Sequence, residues 1–457
     1  MRALFSRPAR IARYLEVEAA LALAEADLGV IPREAGARIA QFARFDLLDD
    51  EKILAGQTAT GHMMVPIVNE LARIVGEPAG GWVHWGATTQ NIQQTGDVLG
   101  LREAIEILER NLCDLLDRLA AQAERGADTL MAGRTHWQHA VPITFGFKMA
   151  VWADVMARHL QRIEQLRPRL LVCMMGGAAG TFASLGDVGP AVQAEVARTL
   201  ALAPMAVPAR NISDPFAEFV LVMALIAGGA GSLAEEVARL MGTDFGEVSE
   251  ALPATDVGSS TMPQKRNAKG AMQVVTRAAE VRSFVPLALD AMMQSHEVDG
   301  AKTAMMDRAT EQVCVLGGEM LVGLSNVIGG LQPFPGRMRD NLGRTRGLIG
   351  AEAIMLALGK VIGRQKAHDI VHRLAGDVAL SPCGPDFADR LAAEPEVNRH
   401  LGRDAIVDLL DPARHVGASA TIARDAAARA RAVATEWRRG ATQVRESRRM
   451  PAARGDR

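Results

Sequence analysis

The sequence predicts an all-α protein built around a long helical bundle. Apolar residues recur at three- and four-residue spacing over most of the 457 residues, which is the periodicity of helices with one buried face. Strand signals are scarce, because the chain has one tyrosine and no sustained two-residue alternation. With 49% hydrophobic residues, the chain is long enough for two or three domains, or for one elongated core with smaller ends.

The apolar pattern predicts the helices in order along the chain. The first covers residues 11–28 and stops at Gly29 and Pro32. Further helices are predicted at 96–123, 142–166, 190–202, 214–241, 268–293 and 303–328. Asp214 and Pro215 are typical of an N-cap and a first helical position. The uncharged stretch 219–234 is shorter than a usual membrane span, so we expect a buried bundle helix there and no membrane association.

Glycine and proline breaks separate a predicted extended central bundle from a smaller C-terminal helical domain at 331–457. Gly329, Gly330 and the prolines at 333 and 335 mark this boundary. The segment from Ala426 onward is rich in alanine and arginine, which predicts a frayed basic tail.

Charge and cysteine content exclude several function classes. A net charge of −2 argues against nucleic acid as a partner, since binding phosphates requires a clustered basic surface. Small anionic substrates need only a few local lysines and arginines. The four cysteines show no C-x-x-C spacing, so neither a disulfide framework nor a zinc site is expected. The N-terminal apolar segment is interrupted by charges and lacks a signal-peptide pattern, which predicts a cytoplasmic protein.

The segment 258–267, GSSTMPQKRN, carries the strongest chemical signal. It starts with Gly258 and offers a hydroxyl at Ser259 that could accept a proton if it were deprotonated or paired. Lys265 supplies a positive charge and Asn267 a hydrogen-bond donor, which together suit a carboxylate. A surface turn is the alternative interpretation when this segment is considered alone.

Two earlier segments add polar groups. In 84–91, HWGATTQN, the side chains of Thr88, Thr89 and Asn91 could cap the following helix, bind a carboxylate at its N-terminus, or do both. In 133–142, GRTHWQHAVP, His136 follows Thr135 and could act as a general acid or a positioned donor. A structural histidine is the alternative there.

These three segments, in this order, resemble the signature regions of the fumarase/aspartase superfamily. The third departs from the superfamily pattern only at Ala268, where proline is usual. The resemblance runs from about residue 5 to residue 424 and is closest to the 3-carboxy-cis,cis-muconate cycloisomerase and adenylosuccinate lyase branches. It implies three helical domains, an N-terminal one at 1–108, a central helix bundle at 109–330 and a C-terminal one at 331–457. It also implies a homotetramer whose core is the central bundle and whose active sites are shared between subunits.

The resemblance also implies roles for individual residues. Ser259 would be the catalytic base, and His136 would donate a proton to the departing group or position it. Substrate-binding roles are implied for Thr88, Thr89, Asn91, Thr135, Gln138, Lys265, Asn267, His62 and Arg210. Asn91 and Gln94 stand where many relatives carry aspartates. The segment 212–215 lacks two arginines that relatives commonly show, for which Arg210 could substitute.

The expected reaction is β-elimination from a small dicarboxylate of the succinate type. It gives fumarate or a fumarate-like product through an aci-carboxylate, with no metal and no organic cofactor. The leaving group is open, with an amine, a purine-linked amine and nitrite all admissible. A cycloisomerase is the alternative activity, and a non-catalytic structural relative is the alternative class. The intact Ser259, Lys265 and Asn267 argue against the structural class.

Overall fold

A computed structural model describes residues 1–251, 259–381 and 383–449. The predicted all-α fold is confirmed. The helices are α1 (Arg7–Asp27), α2 (Arg33–Phe42), α3 (Asp50–Thr60), α4 (Val65–Val75), α5 (Thr89–Arg125), α6 (Phe145–Leu170), α7 (Gly189–Thr199), α8 (Asp214–Met241), α9 (Lys269–Ser283), α10 (Val285–Ala291), α11 (Gly300–Gly329), α12 (Pro335–Gly343), α13 (Ala351–Ile362), α14 (Arg364–Ala379), α15 (Phe387–Ala393), α16 (Pro395–Asn398), α17 (Arg403–Leu409) and α18 (Ser419–Arg449).

Short strand pairs join some of these helices. An antiparallel hairpin pairs β1 (Leu130–Thr135) with β2 (Gln138–Thr144). Two-residue strands form a parallel pair, β3 (Val172–Cys173) with β4 (Ala203–Pro204), and an antiparallel pair, β5 (Val248–Ser249) with β6 (Gln332–Pro333). Short 3₁₀ turns lie at Arg2–Phe5, Phe45–Leu47, Ala79–Trp82, Gly186–Val188, Leu348–Gly350 and Pro412–Arg414.

The largest apolar core lies in a bundle of α5, α6, α8, α9, α11 and α18. A second core is built from α1–α4, the start of α5 and residues 173–200. A third lies among α13–α17. These three cores do not fix domain limits, and the limits 1–108, 109–330 and 331–457 stay predictions.

The bundle has two ends that are far apart. Helix α5 has 37 residues, which corresponds to a length of roughly 55 Å at 1.5 Å per residue. At its start, Gln90 donates to the carbonyl of Arg210 just before α8, and Asn211 donates to the carbonyl of His296 just before α11. We call this the Thr88 end, because the residues 84–88 precede α5 here.

The other end contains the C-terminal ends of the same three helices. Near the end of α5, Gln122 donates to the carbonyls of Ile328 and Leu331 at the end of α11. The amide of Phe334 donates to the carbonyl of Glu247, which follows α8. The hairpin β1–β2 and the loop 259–268 are also located here, and we call this the His136 end.

Several predicted segments differ from the structure. The helix predicted at 96–123 begins seven residues earlier, at Thr89, and the helix predicted at 190–202 ends at Thr199. The helix predicted at 142–166 begins only at Phe145, because residues up to Thr144 belong to β2. The helix predicted at 268–293 is divided between α9 and α10 at Phe284, two residues before Pro286, which cannot donate a helical hydrogen bond. The segment predicted as a frayed tail from Ala426 is helical through Arg449 and packs on α5 and α6.

Helices α8 and α11 are long and apolar enough to cross a membrane by length and composition. More than half of the most apolar window of each is buried inside the protein, at 56% and 61%. Core helices of folded bundles meet the same criteria, so composition alone does not assign these two helices to a membrane.

Candidate active site

The turn before α5 is held by one buried amide. The Oδ1 atom of Asn91 accepts hydrogen bonds from the backbone amides of Thr88 at 3.0 Å and Gly177 at 3.2 Å. Its Nδ2 atom lies 2.9 Å from the sulfur of Met174, and the residue is fully buried. Thr88 and Thr89 remain partly exposed beside it. This geometry gives Asn91 a structural role, and its direct contact with substrate stays a prediction.

An ion pair supports the same turn from α1. His84, with a φ of 63°, places its Nδ1 atom 2.6 Å from Oε1 of Glu18, whose side chain is 1% exposed. Burial alone would lower the pKa of His84, but the charge and hydrogen bond of Glu18 outweigh it and raise that pKa. The left-handed backbone at His84 is costly for a residue other than glycine. Glu18 thus fixes a strained residue four positions before Thr88.

Arg210 also lies at the Thr88 end. Its Nε atom donates to Oε1 of Gln90 at 2.8 Å, and its Nη1 atom donates to the carbonyl of Ala178 at 2.8 Å. Both partners are uncharged, so the positive charge of Arg210 is not neutralised by these contacts. The structure thus places the guanidinium of Arg210 against Gln90, two residues after Thr88.

His62 lies just before the start of α4, at the Thr88 end. Its Nδ1 atom accepts from the amides of Met64 at 3.2 Å and Val65 at 3.3 Å. In the neutral ring the proton is therefore on Nε2, because Nδ1 acts as an acceptor. Met63 lines a cavity together with Gln90 and Arg210. His62 is exposed and can present an N–H toward this region.

The hairpin β1–β2 carries His136 at its tip. His136 and Trp137 form the two-residue turn, with φ values of 49° and 67°. Positive φ at both positions is the signature of a type I′ turn, which glycine and asparagine usually occupy. Thr135, His136 and Gln138 are exposed, and the ring of Trp137 lies 4.8 Å from the guanidinium of Arg239.

A buried ion pair anchors this hairpin to the segment after α8. Arg134 donates two hydrogen bonds to the carboxylate of Glu247, at 3.0 and 2.5 Å, and Glu247 is fully buried. Asn341 donates to Glu247 at 2.7 Å. The guanidinium of Arg134 also lies 5.0 Å from the ring of Phe245. These contacts therefore anchor the strands of the hairpin, although the turn bearing His136 is exposed at its tip.

The hydroxyl of Ser259 accepts hydrogen bonds from its own loop. Its Oγ atom lies 3.3 Å from the amide nitrogen of Thr261 and 3.1 Å from that of Met262. Two donors aimed at one oxygen stabilise negative charge on that oxygen. The two amides would therefore stabilise the alkoxide form of Ser259, in which a serine can act as a base.

The remaining loop residues lie between Ser259 and α9. Lys265 is exposed and Asn267 is partly buried, while Gly258 lies outside the described residues. Glu250 fixes the start of α9 by accepting from the amides of Gly270 at 3.1 Å and Ala271 at 2.7 Å. The loop is therefore tied to the His136 end of the bundle at its C-terminal side.

One chain does not bring all the predicted site residues together. Thr88, Thr89, Asn91, His62 and Arg210 lie at the Thr88 end, whereas Thr135, His136, Gln138, Ser259, Lys265 and Asn267 lie at the His136 end. The separation is set by the length of α5, roughly 55 Å. The catalytic roles of all these residues stay predictions.

Sequence reasoning missed two supporting ion pairs, Glu18 with His84 and Arg134 with Glu247. Both His84 and Arg134 belong to motif segments, but their partners are 66 and 113 residues away. No local pattern reveals such partners. In the described part of the chain, no group of three or more histidine, cysteine, aspartate or glutamate residues is arranged to hold a metal ion.

The fold and the motif segments define a helical lyase. Residues 1–282 match the family model described as lyase, and residues 347–426 match the one described as adenylosuccinate lyase C-terminus. The chain belongs to the fumarase/aspartase superfamily of lyases.

Individual relatives differ in the reactions that their names describe. The chain is 39% identical to the 3-carboxy-cis,cis-muconate cycloisomerase of Pseudomonas aeruginosa, covering 91% of each chain. It is 35% identical to the N-acetyl-S-(2-succino)cysteine lyase of Dickeya dadantii, covering 92% of each. The crystal structure of a fumarate lyase from Mesorhizobium sp. BNC1 superimposes with a TM-score of 0.86 at 37% identity, covering 93% of this chain and 97% of that one.

Proposed function

We propose that the protein catalyses β-elimination from a succinate-type substrate, with Ser259 as the base. The observation that carries this proposal is the pair of backbone amides donating to Ser259 Oγ. Preorganised donors at an oxygen that becomes charged cost no reorganisation during the reaction. A serine hydroxyl without such donors would be a poor base near neutral pH.

The elimination proceeds in two steps, removal of a proton from the substrate and then loss of the leaving group. Ser259 takes the proton from Cβ of the substrate, and the C–H electrons delocalise into the adjacent carboxylate as an aci-carboxylate. Lys265 and Asn267 stabilise the added negative charge. These electrons then form the C=C bond of fumarate, while the bond from Cα to the heteroatom breaks and its electron pair leaves with that atom. His136 donates or directs the proton that the leaving atom accepts.

The proposal includes a homotetramer in which each site is shared between subunits. Its support is the separation of the motifs: Thr88 lies at one end of α5, and His136 and Ser259 lie at the other. A dicarboxylate of a few ångströms cannot touch both ends of one chain. Residues from neighbouring chains would have to complete each site. We further propose a cytoplasmic enzyme that requires no metal and no organic cofactor.

The leaving atom is proposed to be nitrogen, with other heteroatoms as alternatives. The name of the Dickeya dadantii relative describes a succinyl group on sulfur, so a thioether substrate belongs in any test. A cycloisomerase is the second candidate, and the identity to the Pseudomonas aeruginosa relative favours it. The exposed imidazole of His136 favours elimination, because an acid is required at the leaving group.

A substrate panel tests these assignments. The purified protein would be incubated separately with N-substituted aspartates, adenylosuccinate, nitrosuccinate, an S-succinyl thioether and 3-carboxymuconate. Release of fumarate, followed by its absorbance, is the expected result for a succinyl substrate. Lactone formation from carboxymuconate without fumarate release would replace the lyase by the cycloisomerase. No product from any compound would contradict both.

A further inference from the structure

A cavity of about 250 Å³ follows the first turns of α5. Gln90, Gln94 and Asp97 line it from α5, and these positions share one helix face. The seven-residue spacing between Gln90 and Asp97 corresponds to roughly 10 Å along the axis. The volume is smaller than the roughly 300–1,000 Å³ typical of sites for drug-sized ligands. The cavity therefore suits a short group that extends away from Thr89.

The charges of this cavity change sign along its length. Arg210 lies beside Gln90, and its hydrogen-bond partners are uncharged. Asp97 and Asp307 line the cavity about two helical turns away. Arg10 also lines it, and its single charge is shared among the carboxylates of Asp97, Asp307 and Glu311, the last at 2.7 Å. The cavity is therefore positive toward the turn of Thr88 and negative at its far part.

The charges of Asp97 and Asp307, at the far part of the cavity, are only partly neutralised by neighbouring arginines. The hydroxyl of Tyr14 donates to Asp97 at 3.3 Å. Burial raises the pKa of Asp97 to about 6 although Arg10 and Arg13 lower it. Asp307 lies at the exposed side of the cavity, where partial removal from water, followed by the charge of Asp97, also raises its pKa. A ligand cation between the two carboxylates would relieve their repulsion.

A buried hydroxyl gives independent support for a ligand. Ser213 lines the cavity and is 8% exposed, and its Oγ atom has no hydrogen-bond partner among the described residues. Leaving a buried hydroxyl unpaired costs about 1–3 kcal/mol. A polar ligand in the cavity would pair with this atom.

We propose that this cavity binds the leaving group of the substrate and that this group is a short aliphatic amine carrying a second, cationic nitrogen. The cation lies between Asp97 and Asp307, and Ser213 accepts one of its N–H bonds. The succinyl carboxylate lies at the positive side, toward Thr88 and Arg210. This assignment rests on the proposed elimination. It disfavours a purine nucleotide, whose phosphate would face the two acidic side chains.

Binding to the full-length protein tests the cavity without any turnover. Titration calorimetry would compare 1,3-diaminopropane, which has two ammonium groups, with 3-amino-1-propanol, which replaces one of them by a hydroxyl. We expect the diamine to bind at least tenfold more tightly. Asp307→Asn should remove this preference, and Ser213→Ala should weaken both ligands. Asp290→Asn is the matched control, since Asp290 is exposed on α10 and does not line the cavity.

The outcomes separate this inference from the proposed function. Equal affinity for the two ligands, absence of diamine binding, or equal effects of Asp307→Asn and Asp290→Asn would overturn the inference. Displacement of the diamine by adenosine monophosphate would also overturn it. Failure of every succinyl compound to release fumarate, with diamine binding and its dependence on Asp307 intact, would contradict the elimination and leave the ligand class standing.

Discussion

The two ends of the bundle present their motif residues in opposite ways. At the Thr88 end, buried groups fix the turn before α5: Asn91 is fully buried and Glu18 is 1% exposed. At the His136 end, His136 and Lys265 are exposed on a hairpin tip and a loop. The comparison indicates that a single chain fixes the conformation of the turn proposed to bind a carboxylate. The groups proposed to move protons instead remain exposed to solvent in that chain.

The largest expected effect comes from the exposed end. Ser259→Ala should retain the fold and the oligomeric state but lose turnover by about a hundredfold to ten-thousandfold, the range typical of losing a general base. The hydroxyl contributes little packing, so a loss of this size would come from chemistry. Steady-state kinetics and circular dichroism measure the two properties separately.

Ser260→Ala is the control for this experiment, since Ser260 is exposed in the same loop. It should leave kcat within a few-fold of the unaltered protein. Near-normal turnover of Ser259→Ala on the true substrate would remove Ser259 as the base and make His136 or His62 the candidate.

The second prediction tests whether the two ends meet between subunits. Ser259→Ala carries its defect at the His136 end, and a double variant with Thr88→Val and Thr89→Val carries it at the Thr88 end. If the sites are shared, dissociating and reassembling the two proteins together should create some sites with neither defect. Activity should then rise well above that of either parent.

Ser259→Ala mixed with Lys265→Met is the matched control for reassembly. Both changes affect the same loop, so every site would contain a defective loop and no activity should return. Mixed oligomers of opposite-end variants that stay inactive, with mixing verified by mass spectrometry of differently tagged subunits, would count against shared sites.

The regular core of this fold could be predicted from sequence, but its junctions could not. The bounds predicted for the helix 214–241 agree with α8, because a continuous apolar stretch marks it, but the N-cap is Ser213 and Asp214 is already the first helical residue. The start of α6 was misplaced, since the His136–Trp137 turn lacks the Asn-Gly signal of a type I′ hairpin. The helix α18 was missed because its arginines suggested repulsion. Arg431 and Arg438 instead pair with acidic residues on α5.

The motif residues of the candidate site could likewise be selected from sequence, but not their supports. Ser259 and His136 stand out because neighbouring residues match a pattern. Glu247 holds the hairpin of His136 from 113 residues beyond Arg134, and nothing near it in sequence marks that task. Periodicity also does not reveal that Asn91 is fully buried by Gly177 and Met174.

The third prediction concerns the buried ion pair that anchors the exposed hairpin. Glu247→Gln leaves the partly buried charge of Arg134 without its fully buried partner, and breaking a buried ion pair typically destabilises a protein by about 3–5 kcal/mol. The thermal midpoint should fall, and kcat should fall with it because the turn of His136 loses its anchor. Glu235→Gln is the control, since its pair with Arg239 is exposed and such pairs contribute about 0–1 kcal/mol. Equal shifts for both variants would contradict an anchoring role.

The smallest predicted effect belongs to the buried Thr88 end and depends on pH. Glu25 is 1% exposed, and both its carboxyl oxygens lack a hydrogen-bond partner among the described residues. Burial, followed by the charge of Glu18, raises the pKa of Glu25 to about 8 from a usual value of 4.5. The folded protein therefore holds this proton at neutral pH, whereas the unfolded chain releases it above about 4.5.

The sign of this linkage is fixed by which state binds more protons. Between pH 4.5 and pH 8 the folded state binds more protons at Glu25 than the unfolded state does. The contribution of Glu25 to the free energy of unfolding is therefore complete below pH 4.5 and declines as the pH rises. By pH 7 this decline reaches about 3 kcal/mol. Glu25→Gln stays neutral throughout, so its thermal midpoint should match the unaltered protein near pH 5 and exceed it near pH 8. The exposed Glu34→Gln on α2 is the control and should show no such dependence. If the thermal midpoints of Glu25→Gln and the unaltered protein differed by the same amount across this pH range, Glu25 would not be held neutral in the folded protein.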